Sequence, residues 1–185
     1  MFSNQLFFAF AFVFSCLELQ LGVYALPAAV STTNGPTRFP PPSVQISAFL
    51  DAHNAIRRQH NAADLKWSPY LARMAGFWTD QCQFKHTNGV LSNEPYGENV
   101  AAGTGDFPID AAVATFVSDR GEYNPTNPSY LRFTQVVWKS TTEIGCAVSQ
   151  CDNIFDPSLG KATLYVCLYN PPGNVIGRAP ENVQV

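Results

Sequence analysis

Chemistry in this chain has to come from three histidines, a modest set of acids and a few thiols. An imidazole beside a carboxylate can pass a proton or hold a divalent metal. Lys85-His86-Thr87 and Tyr96-Gly97-Glu98-Asn99 supply one of each, in blocks that follow one another closely. Each also has a structural reading: His86 as a half-buried ring bonded to its neighbours, and Glu98 as a carboxylate satisfying backbone donors at a turn. His53, in His53-Asn54-x-x-Arg57, falls on the apolar face of its segment and reads as a core histidine. A third block, Phe133-Thr134-Gln135-Val136-Val137-Trp138-Lys139, precedes Ile144-Gly145-Cys146. Of five cysteines, Cys82, Cys146, Cys151 and Cys167 form an even set beyond the first residues, and their spacings fit no paired-cysteine zinc motif. Two disulfides are expected.

The first residues decide the compartment. Leu6 to Phe14 reads LFFAFAFVF, an apolar run of signal-peptide length that stops well short of the ~20 residues a membrane span needs. Glu18 and Gln20 interrupt any longer span, and Val23-Tyr24-Ala25 offers a cleavage pattern. Residues 1–25 are therefore expected to be a signal peptide and the protein to be secreted, with no membrane span. Loss of that segment removes one acid, Glu18, and takes the net charge from −3 to −2. A chain of 14% charged residues with no basic stripe is a poor partner for nucleic acid, which rewards many Lys and Arg contacts.

Residues 26–43 read as a linker, closing on Pro40-Pro41-Pro42, which extends the backbone and cannot enter a helix. One domain is expected over 44–185. Ile46, Phe49, Leu50, His53 and Ile56 at steps of 3 and 4 predict a helix from about Ser47 to His60, with Asp51, Arg57 and Arg58 off its buried face. Leu65-Lys66-Trp67 reads as extended. Ser68 before Pro69 marks a helix start, followed by a stripe of Leu71, Met74, Ala75, Trp78 and Cys82. A third helix follows Asp106 and Pro108. Ile144 to Val148 and Thr163 to Leu168 are rich in β-branched and aromatic residues and predict strands, joined by the Asp156-Pro157-Ser158-Leu159-Gly160 turn. Helices first and strands last predict an α+β domain with helices over a small antiparallel sheet. Because Cys151 and Cys167 flank the last hairpin, a bridge between them is expected, with Cys82 reaching Cys146.

The order and wording of the three blocks, with Tyr169-Asn170-Pro171-Pro172-Gly173-Asn174 closing them, resemble the CAP superfamily: cysteine-rich secretory proteins, antigen five and pathogenesis-related group one. The chain is most similar to fungal and plant pathogenesis-related members, over about residues 45–180. The resemblance implies a three-layer α-β-α sandwich and a cleft with two histidines and two acids that binds a divalent metal in many members. Matched position by position, the first histidine is His86 and the first acid Glu98. The second acid falls on Asp119, where members usually have Glu, with Glu122 one turn later. The second histidine falls on Arg132. A guanidinium has no lone pair for a metal and keeps its charge. The expectation is a degenerate site without metal or other cofactor, in which Arg132 is drawn to Glu98 and Asp119.

The same resemblance implies a small apolar ligand, a sterol or fatty acid. Its site would involve the loop from Tyr123 to Leu131, whose aromatic ends are Tyr123 and Tyr130, or a groove between helices. It also implies a role against a host or cell-surface protein. The alternative is an extracellular hydrolase working through the cleft carboxylates, for which no serine or free cysteine has an evident base partner. The expectation is a non-enzymatic binding protein.

Overall fold

A computed structural model describes residues 43–185. The expected signal peptide and all but the last residue of the expected linker lie outside the described residues.

Helix α1 (Ser43–Gln59) packs through Phe49, His53 and Arg57, all fully buried and four residues apart. Arg57 was expected off the buried face. It is inside because its guanidinium donates to the carbonyls of Ala63, Val136, Trp138 and Thr141, at 2.8 to 2.9 Å. Those oxygens lie outside the strands of the sheet, and a five-donor fork suits them. Burial pulls Arg57 down to about 10, so it stays charged at neutral pH. Strand β1 (Lys66–Trp67) leads to α2 (Pro69–Thr79), whose first turn is capped by Ser68 through a bond from the Leu71 amide.

Next come β2 (Gly97–Thr104), α3 (Ile109–Phe116), a 3-10 turn (Arg120–Glu122) and α4 (Arg132–Val136). Strand β3 (Glu143–Cys151), a second 3-10 turn (Pro157–Leu159), β4 (Ala162–Asn170) and α5 (Ala179–Asn182) complete the order. The sheet runs β1-β3-β4-β2. Its three long strands are antiparallel, as expected, whereas the two-residue β1 joins β3 in parallel.

Alternation along β4 makes the layers. Tyr165, Cys167 and Tyr169 face a core with Phe49 of α1, Phe116 of α3 and Phe133 of α4. Leu164, Val166 and Leu168 face Leu71, Met74 and Ala75 of α2. The result is the α-β-α sandwich. On its α2 face, a Cβ at Gly145 would lie 2.2 Å from the Ala72 amide nitrogen, so α2 crosses β3 backbone against backbone. Among the described residues, no helix is long and apolar enough to cross a membrane.

The two disulfides are present, but the expected pairing is wrong: Cys82 joins Cys151 and Cys146 joins Cys167. The pleat decides it. Cys146 and Cys151 are five residues apart on β3 and so point to opposite faces. Cys146 lies directly across from Cys167 in the β3–β4 register, at a Cα separation of 4.1 Å. Cys151 faces the α2 layer, where Cys82 follows the helix, 5.4 Å away between Cα atoms.

Candidate functional site

His86 stands in the connection from α2 to β2. The indole of Trp78 holds that loop by donating to the Lys85 carbonyl at 2.9 Å, and Thr87 Oγ1 meets Tyr96 Oη at 2.7 Å. Glu98 is the second residue of β2, an edge strand, rather than part of a turn. Its carboxylate accepts the Thr87 amide at 3.1 and 3.2 Å and meets His86 Nδ1 at 2.5 Å. The contact assigns the His86 proton to Nδ1 and leaves Nε2 without it in the neutral ring. The Glu98 side chain is 8% exposed and that of His86 63%.

Asp119 lies between α3 and α4, and its side chain is also 8% exposed. Its two oxygens accept the Arg132 amide at 3.1 Å and the Phe133 amide at 3.0 Å, which are unmated donors at the start of α4. Arg132 Nε reaches the same carboxylate at 3.1 Å, and the guanidinium also donates to Ser118 Oγ. Arg132 therefore pairs with Asp119 and, contrary to the expectation of a shared attraction, not with Glu98. Glu122 is exposed on the 3-10 turn.

The cleft beside His86 and Glu98 has a volume of about 300 Å³, with walls from Tyr96, Gly97, Gln135 and Gly173; Arg132 and Asp119 do not line it. The four matched positions thus separate into two pairs. A divalent metal needs several lone pairs converging on one point. Asp119 already serves two amides and a guanidinium, and among the described residues no three His, Cys, Asp or Glu side chains gather as a metal set. The residues present do not fit a metal.

The loop tyrosines also divide. Tyr123 is buried against Phe133 in the core, whereas Tyr130 accepts the Gly177 amide at 2.5 Å. His53 is a core histidine: Nδ1 donates to the Phe49 carbonyl at 2.8 Å and Nε2 accepts from Tyr169 Oη at 2.9 Å. Asn99 of β2 donates to the same tyrosine oxygen and to the Arg132 carbonyl, bracing the sheet against α4. Burial lowers His53 to about 4 and raises Tyr169.

Gln135 is the cleft residue that motif reading passed over. It is 1% exposed, its Oε1 accepts the Gly173 amide at 3.0 Å, and its Nε2 has no partner. The available signal was a lone side-chain amide between Phe133-Thr134 and the apolar Val136-Val137-Trp138.

Residues 50–169 match the profile of the CAP family, described as the cysteine-rich secretory protein family. The chain is 37% identical to fruiting body protein SC14 of Schizophyllum commune over 157 residues, 76% of this chain and 69% of that one. It is 33% identical to pathogenesis-related protein 1 of Arabidopsis thaliana over 140 residues, 71% of this chain and 80% of that one. A crystal structure of NaASP2 with Zn2+ superposes with a TM-score of 0.58 over 78% of this chain and 86% of that one, at 21% identity. The last likeness concerns the fold.

Proposed function

Because the chain belongs to the cysteine-rich secretory protein family, we propose that it is a secreted, non-catalytic binding protein whose cleft takes no divalent metal. The observation that carries this reading is the Asp119–Arg132 pair. It removes one acid from the cleft, puts a permanent cation where a relative would have an imidazole, and leaves His86 and Glu98 bonded to each other. A cation that took the open Nε2 lone pair of His86 would still lack the further ligands it needs, because Asp119 is committed to the start of α4 and to Arg132. Titration with zinc in a calorimeter tests it: the expected trace shows no stoichiometric heat. Tight one-to-one binding that His86→Ala abolishes would overturn the reading.

A small apolar ligand, such as a sterol or fatty acid, is the second reading, supported by a separate groove. This groove has a volume of about 660 Å³ and is walled by Trp138, Pro171, Pro172 and Val175, within the size range of ligand sites. Ile176, next in the chain to the wall residue Val175, is largely exposed. Saturable binding of a labelled sterol or fatty acid, weakened by Val175→Asp, is the expected outcome. An unchanged signal in that variant would place the ligand elsewhere and remove the support.

A further inference from the structure

We propose that the His86–Glu98 cleft binds main-chain amide groups of an extended peptide, with Gln135 as the donor that holds a carbonyl oxygen; this rests on the metal-free reading above. Gln135 Nε2 is a buried donor with both hydrogens unmated, and burying such a group without a partner costs about 1–3 kcal/mol. The site is built to keep the amide there. A Cβ at Gly97 would come within 2.1 Å of Gln135 Oε1, and one at Gly173 within 2.6 Å of Nε2, so two glycines make room for the side chain. The Gly173 amide fixes its orientation by bonding Oε1.

The opposite wall supplies an acceptor. With Nδ1–H directed at Glu98, His86 offers the Nε2 lone pair of its neutral ring to the cleft. A donor and an acceptor in one small cleft complement a group that carries both, and an amide does. The Glu98 charge in the same cavity disfavours a carboxylate or phosphate.

Two further features favour peptide over sugar. The lining residues include no tryptophan or phenylalanine, and the hydroxyl of Tyr96 already bonds Thr87 and the Leu91 amide, so no free indole face awaits a sugar ring. Gly97, the first residue of edge strand β2, also lines the cleft, and an edge strand is the kind of element an extended peptide pairs with. Gly89, across the opening, has nothing within 4 Å of its missing Cβ, so a main chain can approach closely there.

The test follows the Gln135 side-chain amide by nitrogen-15 NMR during titration with the blocked peptide acetyl-Ala-Ala-Ala-amide. The expected result is a saturable shift of that amide and of His86, with affinity at least tenfold weaker in Gln135→Glu, which keeps the acceptor for Gly173 and loses the donor. The wild-type shift stands as evidence even if the variant fails to fold. No shift of Gln135, a shift with chitotriose in place of the peptide, or undiminished affinity in the variant would each overturn the proposal. A parallel zinc titration separates the two readings. Stoichiometric zinc shifts at His86 refute the metal-free cleft, whereas silence with both zinc and peptide refutes the peptide site alone.

Discussion

Glu98 and Asp119 are equally buried and both accept backbone amides, yet they do different work. Asp119 holds the first two amides of α4 and a guanidinium that cannot release its proton, so its lone pairs serve the fold. Glu98 holds one amide and an imidazole that is mostly in solvent, with a second nitrogen open to the cleft. Burial alone does not distinguish a structural acid from a site acid. The partner does: a fixed charge closes a site, and a titratable ring leaves one open.

Comparing the two acids at low pH first requires separating out His53, which gives the largest expected effect. Burial holds it at about 4 against an ordinary 6.5, so between those values the unfolded chain takes up a proton that the folded chain refuses. Stability should therefore fall as pH drops through that window, by about 3 kcal/mol in all. The lowered His60 acts in the same direction. Urea unfolding at several pH values should show a shallower slope in His53→Gln.

At neutral pH, Asp119→Ala should cost about 2–3 kcal/mol, because two helix amides and part of Arg132 lose their acceptor. Glu98→Gln should cost about 1 kcal/mol, since a carbonyl still receives Thr87. Equal losses for the two would mean that both acids serve the fold alike. Smallest of all, Arg132→Ala should change stability by less than about 1 kcal/mol, because its side chain is 41% exposed and its pair is screened. Denaturant midpoints for the three variants rank them directly.

How much of this could be read from the residues depends on whether the signal was periodic. The α2 start at Ser68-Pro69, its stripe through Leu71, Met74 and Ala75 and the strands around Cys146 and Cys167 follow patterns that local sequence carries, and they stand as expected; Cys82, expected on the same stripe, lies three residues past the end of the helix. Strand β2 was missed because GENVAAGT is small and glycine-flanked, with little intrinsic strand preference; pairing along β4 overrides that. The disulfide pairing went astray because it weighed closeness along the chain and not which face of β3 each cysteine occupies. Arg57 was placed outside by its charge, although its spacing from Phe49 and His53 puts it on the buried face and four carbonyls await it there. For the site, His86, Glu98, Asp119 and Arg132 were nameable from motif order. Their division into two pairs was not, since it depends on Asp119 capping α4, a helix without periodic signal of its own. Gln135 was hidden for a related reason: its neighbours are core, and only tertiary contact with Gly97 and Gly173 makes it part of a cleft.

Zinc content per chain after equilibrium dialysis against micromolar zinc tests the central claim most directly. With Asp119 held by Arg132 and α4, the wild-type chain should retain well under one zinc per molecule, and His86→Ala should match it. One zinc per wild-type chain, lost in His86→Ala, would contradict the account.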